Sequence, residues 1–509
     1  MIGKVHIVGA GPGDPGLLTL RGQACLAAAD VVVHDHLVPL RLLAHARAGA
    51  ELIGVGNPHG DPVRLSQAAI AALLIERARA GRTVVRLKNG DPMLFGRGGE
   101  ESRALADAGV PFEVVPGVTS ALAVPAYAGI PATHRDHASL LTIATGHQAC
   151  GDGPPDLPWD ALVRQRGTLV FLMAVRQLES ILHALVAHGL PVDTPAAIIQ
   201  HGTTARQRTV TATVGMLAER ARAAGIASPA VLVVGAVVGV RDGLAWFEER
   251  PLFGRRIVVT RPRAQAQAFA DLLEAEGAEV VCFPTIALAP PEVAGALDRA
   301  VAASGGYDWI VFTSPNGVRA FLERFAAQAR DLRELAGVRL AAIGPETAAE
   351  LGRHLLKAAV VPEEYRAEGL LAALGDDDVR GRRILLPRAA GARTILPETL
   401  TARGAHVDEV VAYRAVPPPD ADVAGMRAAL ASGSIDAVTF TSSSTVRNFM
   451  ALVGPDDVAR HVTNGRPTIA CIGPVTAETA RECGLGVAVM PAHYTVPALA
   501  AALIAHLRR

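Results

Sequence analysis

The sequence predicts an α/β protein in two halves, the second built on an internal duplication. Three observations predict this. Short β-branched runs alternate with alanine-rich segments of helical period up to about residue 245. Loops rich in glycine and charge follow several of those runs. Beyond Gly254, a set of short motifs recurs in order at a nearly constant spacing.

Composition narrows the class. At 509 residues the chain has room for roughly three or four ordinary domains. Half the residues are hydrophobic and 19% are charged, enough for packed cores. Lys plus Arg and Asp plus Glu balance at 49 each, so no polyelectrolyte character points to nucleic acid or a membrane surface. The five cysteines (Cys25, Cys150, Cys282, Cys471, Cys483) are scattered without a C-x-x-C pair, which favours a reducing cytosol and no zinc site. The chain opens on a strand, not on a leader, and its longest apolar run, Ala230 to Val240, is too short to span a bilayer, so a cytoplasmic protein is expected.

The first strand, Val5–Val8, enters a loop from Gly9 to Gly16 with four glycines and two prolines, and Leu17, Leu18 and Leu20 then open toward a helix. A dinucleotide fingerprint would need a third glycine at position 14, where Asp14 stands and would repel a pyrophosphate. A nicotinamide reading survives only through Asp35, at the end of the next strand. Strands at Val31–His34, Val84–Leu87 and Val114–Val115, with helices at Gln23–Ala29, Gln67–Ala80 and Glu101–Ala108, imply a parallel sheet with ligands at its C-terminal edge.

Arg86 to Glu101 holds three cations and three carboxylates around Asn-Gly and Asp-Pro turns, more than a turn requires. Pro116–Ser120 follows the next strand. His134 and His137 flank Arg135 and Asp136, but without a further His/Cys cluster the expectation is no metal. Thr168–Met173 reads as a buried strand with Met173 in the core. Ala196–Ile199 leads into Gln200–Thr204, and Ser228–Val238 reads as a last strand.

These loops, in this order and spacing, resemble the tetrapyrrole methylases, in particular the uroporphyrinogen-III C-methyltransferases, over about residues 3–245. Arg86–Glu101 and Thr133–Asp136 are the most particular motifs. The resemblance implies a two-domain α/β methylase (1–115 and 116–248) that binds S-adenosylmethionine between its domains and forms a homodimer through this half. It places Pro12, Asn89, Gly90, Asp91, Leu94, Thr119, Ser120, Met173 and Gly202 at the cofactor. It makes Asp35 the proton acceptor and gives Arg97, Glu100 and Arg135 to the substrate, whose eight carboxylates call for bidentate arginines. The family often has a lysine where Asn57 stands, and asparagine cannot titrate. His59 is a neighbour, but no proton donor is assigned.

Residues 249–254 read as a linker. Past it, Arg255–Val259 recurs as Arg382–Leu386 at an offset of 127, and Thr313-Ser314 as Thr441-Ser442 at 128. Ile343-Gly344-Pro345 recurs as Ile472-Gly473-Pro474, and Tyr365 as Tyr494, both at 129. A period this long implies two similar domains, not a solenoid. Two lobes facing a cleft would also suit a two-lobed binding protein.

Val-Thr-Arg-Pro, Thr-Ser-Pro-Asn-Gly-Val, Ala-Ile-Gly-Pro-x-Thr-Ala and Val-Ala-Tyr-Arg-Ala-Val resemble the uroporphyrinogen-III synthases over residues 255–509. The resemblance implies one lobe from about 255–283 with 417–509 and another from about 288–410. Extended linkers near Val280–Leu288 and Glu409–Val416 would join them. It makes Tyr413 catalytic and puts Ser442 and Thr476 in the cleft; pseudo-symmetry adds Ser314, Asn316 and Thr347. The synthase is expected to need no cofactor. Together the halves imply a bifunctional enzyme that closes hydroxymethylbilane to uroporphyrinogen III and methylates it to precorrin-2. The alternatives are a non-catalytic, tetrapyrrole-binding second half or a nicotinamide oxidoreductase.

Overall fold

The structure, a computed structural model, describes residues 2–56, 65–147, 154–375, 379–419, 421–462 and 465–508. Asn57 and His59 lie outside the described residues. Two compact units emerge: Met1–Ile257 with Asp271–Val280 and Ala500–Arg509, and Val258–Ala270 with Val281–Leu499.

The first sheet holds β1 (Val5–Gly9), β2 (Val31–Asp35), β3 (Glu51–Val55), β4 (Val84–Lys88) and β5 (Phe112–Val115), in the order β3-β2-β4-β1-β5. Every pairing is parallel, as expected. Alternation drives its assembly. Val5, Ile7, Val31, Val33 and Val84 pack on Ile70, Leu74 and Leu105 of two helices, Gln67–Arg79 and Gly98–Asp107. Val8, Val32, Val85 and Leu87 face Leu26 and Leu42 on the other side. Both faces are therefore covered, as parallel sheets require. The edge strand β3, Glu-Leu-Ile-Gly-Val, is short, mostly exposed and broken by Gly54, which obscures it to pattern reading.

The second sheet is mixed. It holds β6 (Leu141–Thr145), β7 (Thr168–Leu172), β8 (Pro195–Gln200), β9 (Arg208–Thr213) and β10 (Ala230–Val234), ordered β6-β7-β10-β8-β9. Only β6–β7 is parallel; β10 runs antiparallel to both neighbours, and β9 to β8. Strand direction leaves no trace in a run such as Ala-Val-Leu-Val-Val. The last strand is also shorter than read, because Gly235 adopts φ +140° and the chain turns into a 3-10 helix at Ala236–Arg241.

In the second half, β11 (Arg256–Val259) and β12 (Glu279–Cys282) precede β13 (Ala287–Ala289), β14 (Trp309–Phe312), β15 (Arg339–Ala342), β16 (Arg383–Ala389) and β17 (His406–Val416). They are followed by β18 (Ala437–Phe440), β19 (Thr468–Cys471) and β20 (Val487–Val489). The third sheet is ordered β12-β11-β18-β19-β20 and the fourth β13-β17-β16-β14-β15. The sequence repeat maps β11, β12, β14 and β15 onto β16, β17, β18 and β19. Each sheet thus takes its first two repeat strands from one copy and its later ones from the other. A copy of the repeat is not a lobe.

The equivalence extends to detail. Ser314 and Ser442 both cap helices, at φ −164° each. Gly344 and Gly473 precede helices that begin with proline, and a Cβ on either would meet the ring of Tyr365 or Tyr494 at 3.3 and 3.2 Å. Both segments expected as extended linkers contain strand: Val280–Leu288 overlaps β12 and β13, and Glu409–Val416 lies within β17, paired with β16 and β13. Among the described residues, no helix is long and apolar enough to cross a membrane.

Candidate active sites

In the first sheet β4, β1 and β5 are neighbours, so the three loops that follow them converge at its C-terminal edge. They meet backbone to backbone. Gly90 N donates to Gly11 O at 2.8 Å and Ala10 N to Lys88 O at 2.7 Å. A Cβ on Gly117 would sit 2.3 Å from Gly90 O, and one on Gly9 2.5 Å from Gly117 Cα. Glycine is required by this close approach, whatever the ligand.

Asp91 clamps the junction. Its Oδ1 accepts from Met93 N (2.8 Å) and Leu94 N (3.2 Å), and its Oδ2 from Gly117 N (3.0 Å). Asp14 ties the first loop to the part of the chain beyond residue 116. It accepts from Gly16 N and from the hydroxyl of Tyr127, both at 2.7 Å, and its own N–H donates to Thr203 Oγ1 at 3.1 Å. The next helix, Leu20–Ala28, is capped by Thr19, whose Oγ1 accepts from Gly22 N.

Beneath these loops lies a buried ionic network. Arg86, 2% exposed, pairs with Asp35 Oδ1 and donates through Nε to Glu101 Oε1 at 3.2 Å. The same Oε1 accepts from Lys88 Nζ at 3.1 Å and Gln67 Nε2 at 2.8 Å. Burial pushes the Lys88 ammonium below its ordinary range, although Glu101 and Asp35 oppose this. The second oxygen of Asp35 lies 3.4 Å from Asn89 N. Its side chain retains some exposure, so the carboxylate is fixed yet reachable. The sequence marks the charged stretch Arg86–Glu101 but gives Arg86, Lys88 and Glu101 no role of their own. Two charges two residues apart in a strand that must be buried were the available signal.

The other expected residues are placed as follows. Thr119 caps the helix Ser120–Tyr127. A Cβ on Gly90, at φ +68°, would meet nothing nearer than Ser120 N at 3.8 Å, leaving an open cradle there. Pro12 and Asn89 are half-buried, and Leu94 packs against the core of the second sheet. Gly202 lies against Val124, where a Cβ would come within 2.4 Å. Met173 corrects the buried reading: β7 ends at Leu172, and Met173 is 50% exposed at φ +57°. It is one of five left-handed non-glycine residues in these loops, with Phe95, Arg97, His201 and Thr203, out of eight among the described residues. Such strain concentrates at functional sites.

Arg97 grips Glu100 through two hydrogen bonds of 2.8 and 2.7 Å, both residues exposed. Each holds the other's charge, raising the arginine and lowering the carboxylate. Arg135 is exposed in its loop and forms no hydrogen bond with Asp35, Arg97 or Glu100.

In the second unit, Ser314 Oγ accepts from Gly317 N and lies 3.0 Å from the hydroxyl of Tyr413. A bulge in β17 shifts the register with β16 between Arg388 and Ala389, so Val411 and Tyr413 are their partners and Ala412 is extra. Bulges re-aim side chains. At an offset of 127, Tyr413 corresponds to Ile286 in the first copy, so only one copy supplies the hydroxyl. Asn316 Oδ1 accepts from Gln265 Nε2 at 3.3 Å. Ser442 Oγ accepts from Thr445 N at 3.3 Å. Thr347 and Thr476 are buried, in the first turns of their helices.

Comparison with known proteins agrees with both halves. The profile of the Tetrapyrrole (Corrin/Porphyrin) Methylases matches residues 4–218, and that of Uroporphyrinogen-III synthase HemD matches residues 267–501. The "Porphyrin biosynthesis protein HemD" of Ruminiclostridium josui is 37% identical over 484 residues, 95% of this chain and 94% of that one. The "Uroporphyrinogen-III C-methyltransferase" of Bacillus subtilis (strain 168) is 39% identical over 368 residues, 72% of this chain and 74% of that one. A "Siroheme synthase" of Stutzerimonas stutzeri is 48% identical over 254 residues, 50% of this chain and 54% of that one. These features define a two-part α/β enzyme of tetrapyrrole biosynthesis. The chain belongs to the tetrapyrrole methylases through its first half and to the uroporphyrinogen-III synthases through its second.

Proposed function

We propose that the second half closes hydroxymethylbilane to uroporphyrinogen III and that the first half methylates that product twice, giving precorrin-2. The observation that carries this reading is the union of the two families in one chain, the product of one being the substrate of the other. We further propose the domain bounds and site residues given above, with a homodimer through the methylase half.

In the methylase half, S-adenosylmethionine supplies the electrophilic methyl group. The loops from Gly9, Asn89 and Pro116 would hold it, with the open cradle at Gly90 and Ser120 and the exposed Met173 suited to its bulk. Their role is placement, and orientation alone can lower a barrier by several kcal/mol. The methylated ring carbon already bears a side chain and has no hydrogen to lose, so the macrocycle must release a proton from another position to restore neutrality. Asp35 is the base for it, with Oδ1 held by Arg86 and Oδ2 met by the Asn89 N–H at 3.4 Å, on a side chain that keeps some exposure. Arg97 and Arg135 offer guanidinium groups to substrate carboxylates, the first by exchanging Glu100 for the ligand.

In the synthase half, loss of the hydroxyl from hydroxymethylbilane leaves an electrophilic azafulvene, which the last ring attacks through a spiro intermediate. Tyr413 assists departure of the hydroxyl by donating its proton, with Ser314 Oγ fixing the phenol. We expect Tyr413→Phe to slow ring closure at least about a hundredfold, the scale of general acid catalysis, and to shift product toward the spontaneous type I isomer. Unchanged type III yield would sink that role.

The deciding experiment supplies hydroxymethylbilane and S-adenosylmethionine to the pure chain and identifies the product by mass and isomer. A doubly methylated type III product is expected. Type I product alone would leave the second half a non-catalytic module, and unmethylated type III product would remove the methylase reading.

A further inference from the structure

One guanidinium in the second unit lacks the partner that others of the chain have. Arg261 stands between β11 and the helix Arg263–Ala275. Its Nη2 donates to Gln265 Oε1 at 3.1 Å, and Gln265 Nε2 donates in turn to Asn316 Oδ1 at 3.3 Å. Asn316 lies in the first turn of the helix Pro315–Ala327, two residues past the capping Ser314 that touches Tyr413. Arg261 from the third sheet and Tyr413 from the fourth thus flank one helix start.

No carboxylate among the described residues forms an ion pair with Arg261. Its Nε is enclosed without a hydrogen-bond partner, while Nη1 makes no hydrogen bond and keeps access to solvent. Glu346, exposed on the helix Pro345–Arg353, acts on it only by longer-range attraction. Arg21, Arg97 and Arg333 are each held more firmly charged by a carboxylate; burial pushes Arg261 the other way. An enclosed donor left unmet costs free energy, and a guanidinium without a counter-charge is matched by an incoming carboxylate.

We propose that Arg261 is a receptor for one carboxylate side chain of the linear tetrapyrrole, taking it through Nη1 while Gln265 and Asn316 hold the plane of the guanidinium. This rests on the synthase reading above. The pairing anchors the substrate beside Tyr413, so Arg261 contributes chiefly to binding and Tyr413 to the chemical step.

The test is steady-state formation of uroporphyrinogen III from hydroxymethylbilane by the full chain, comparing wild type with Arg261→Met, Arg261→Lys and, as a surface control, Arg333→Gln. Arg261→Met should raise KM roughly tenfold or more with a smaller change in kcat, the loss expected for a charged hydrogen bond. Arg261→Lys should recover part of it, keeping the charge but not the fork. The melting temperature of Arg261→Met should not fall, because the side chain answers no buried charge in the free protein. An unchanged KM overturns the proposal, and so does a lowered melting temperature with KM intact, which would mark a packing role. A wild-type chain that forms no type III product removes the synthase reading, and the proposal with it.

Discussion

At the scale of residues, charge pairing separates positions that look alike in sequence. Arg86 and Arg97 sit eleven residues apart in one charge-rich stretch. Arg86 is enclosed and answers two carboxylates; Arg97 is exposed and answers one. Removing one member of a buried pair leaves a charge without water or partner. Arg86→Met should therefore lower stability by about 3–5 kcal/mol, measured by urea unfolding, and a loss under about 1 kcal/mol would contradict the network's role. Arg97→Ala should leave stability nearly unchanged, because exposed pairs contribute about 0–1 kcal/mol. It should abolish methylation while S-adenosylmethionine still binds, by calorimetry. Normal turnover would leave the Arg97–Glu100 pair with no role beyond holding its own loop.

At the scale of elements, Glu113 fastens the edge strand β5. It accepts from Lys4 Nζ at 2.7 Å and from Arg21 at 2.9 Å twice, linking the residue before β1 and the first helix. Lys4 and Arg21 together hold its carboxyl down to about 2 from an ordinary 4.5. A carboxylate depressed by folding stabilises above its unfolded pKa, and that contribution fades as pH falls toward the folded value. Glu113→Gln should thus flatten the loss of stability between pH 4.5 and about 2, followed by thermal melting across that range. A variant whose acid profile overlays wild type would show the contacts to be inert.

At the scale of the molecule, the repeat and the folding unit differ. Residues 255–381 supply β11 and β12 to the third sheet but β13, β14 and β15 to the fourth. Parallel strands without their neighbours leave both faces and an edge open. That fragment should show no cooperative thermal transition by circular dichroism. A sharp transition would mean that the copies do not depend on one another. The duplicated chain also becomes asymmetric in detail: Tyr413 lies within β17 and its counterpart Ile286 just before β13, and of the two only Tyr413 meets a capping serine.

Much of this was legible in the amino-acid order because local chemistry decides it. β-Branched runs make the central strands, glycine and proline mark the loops between elements, and the recurring motifs reveal the duplication. The edge strands β3 and β9 were not legible: β3 is a short run broken by Gly54, and β9 alternates threonine with small or apolar residues. Nor was strand direction in the second sheet, nor the exposure of Met173, which its neighbours' burial concealed. The pairing of Asp35 with Arg86, of Asp14 with Tyr127 and of Ser314 with Tyr413 joins residues 51, 113 and 99 positions apart. No local preference specifies such contacts. The sequence by itself determined which residue types stand at the ends of which strands; only the tertiary structure decided which of them meet, because sheet order and register bring distant strand ends to one edge.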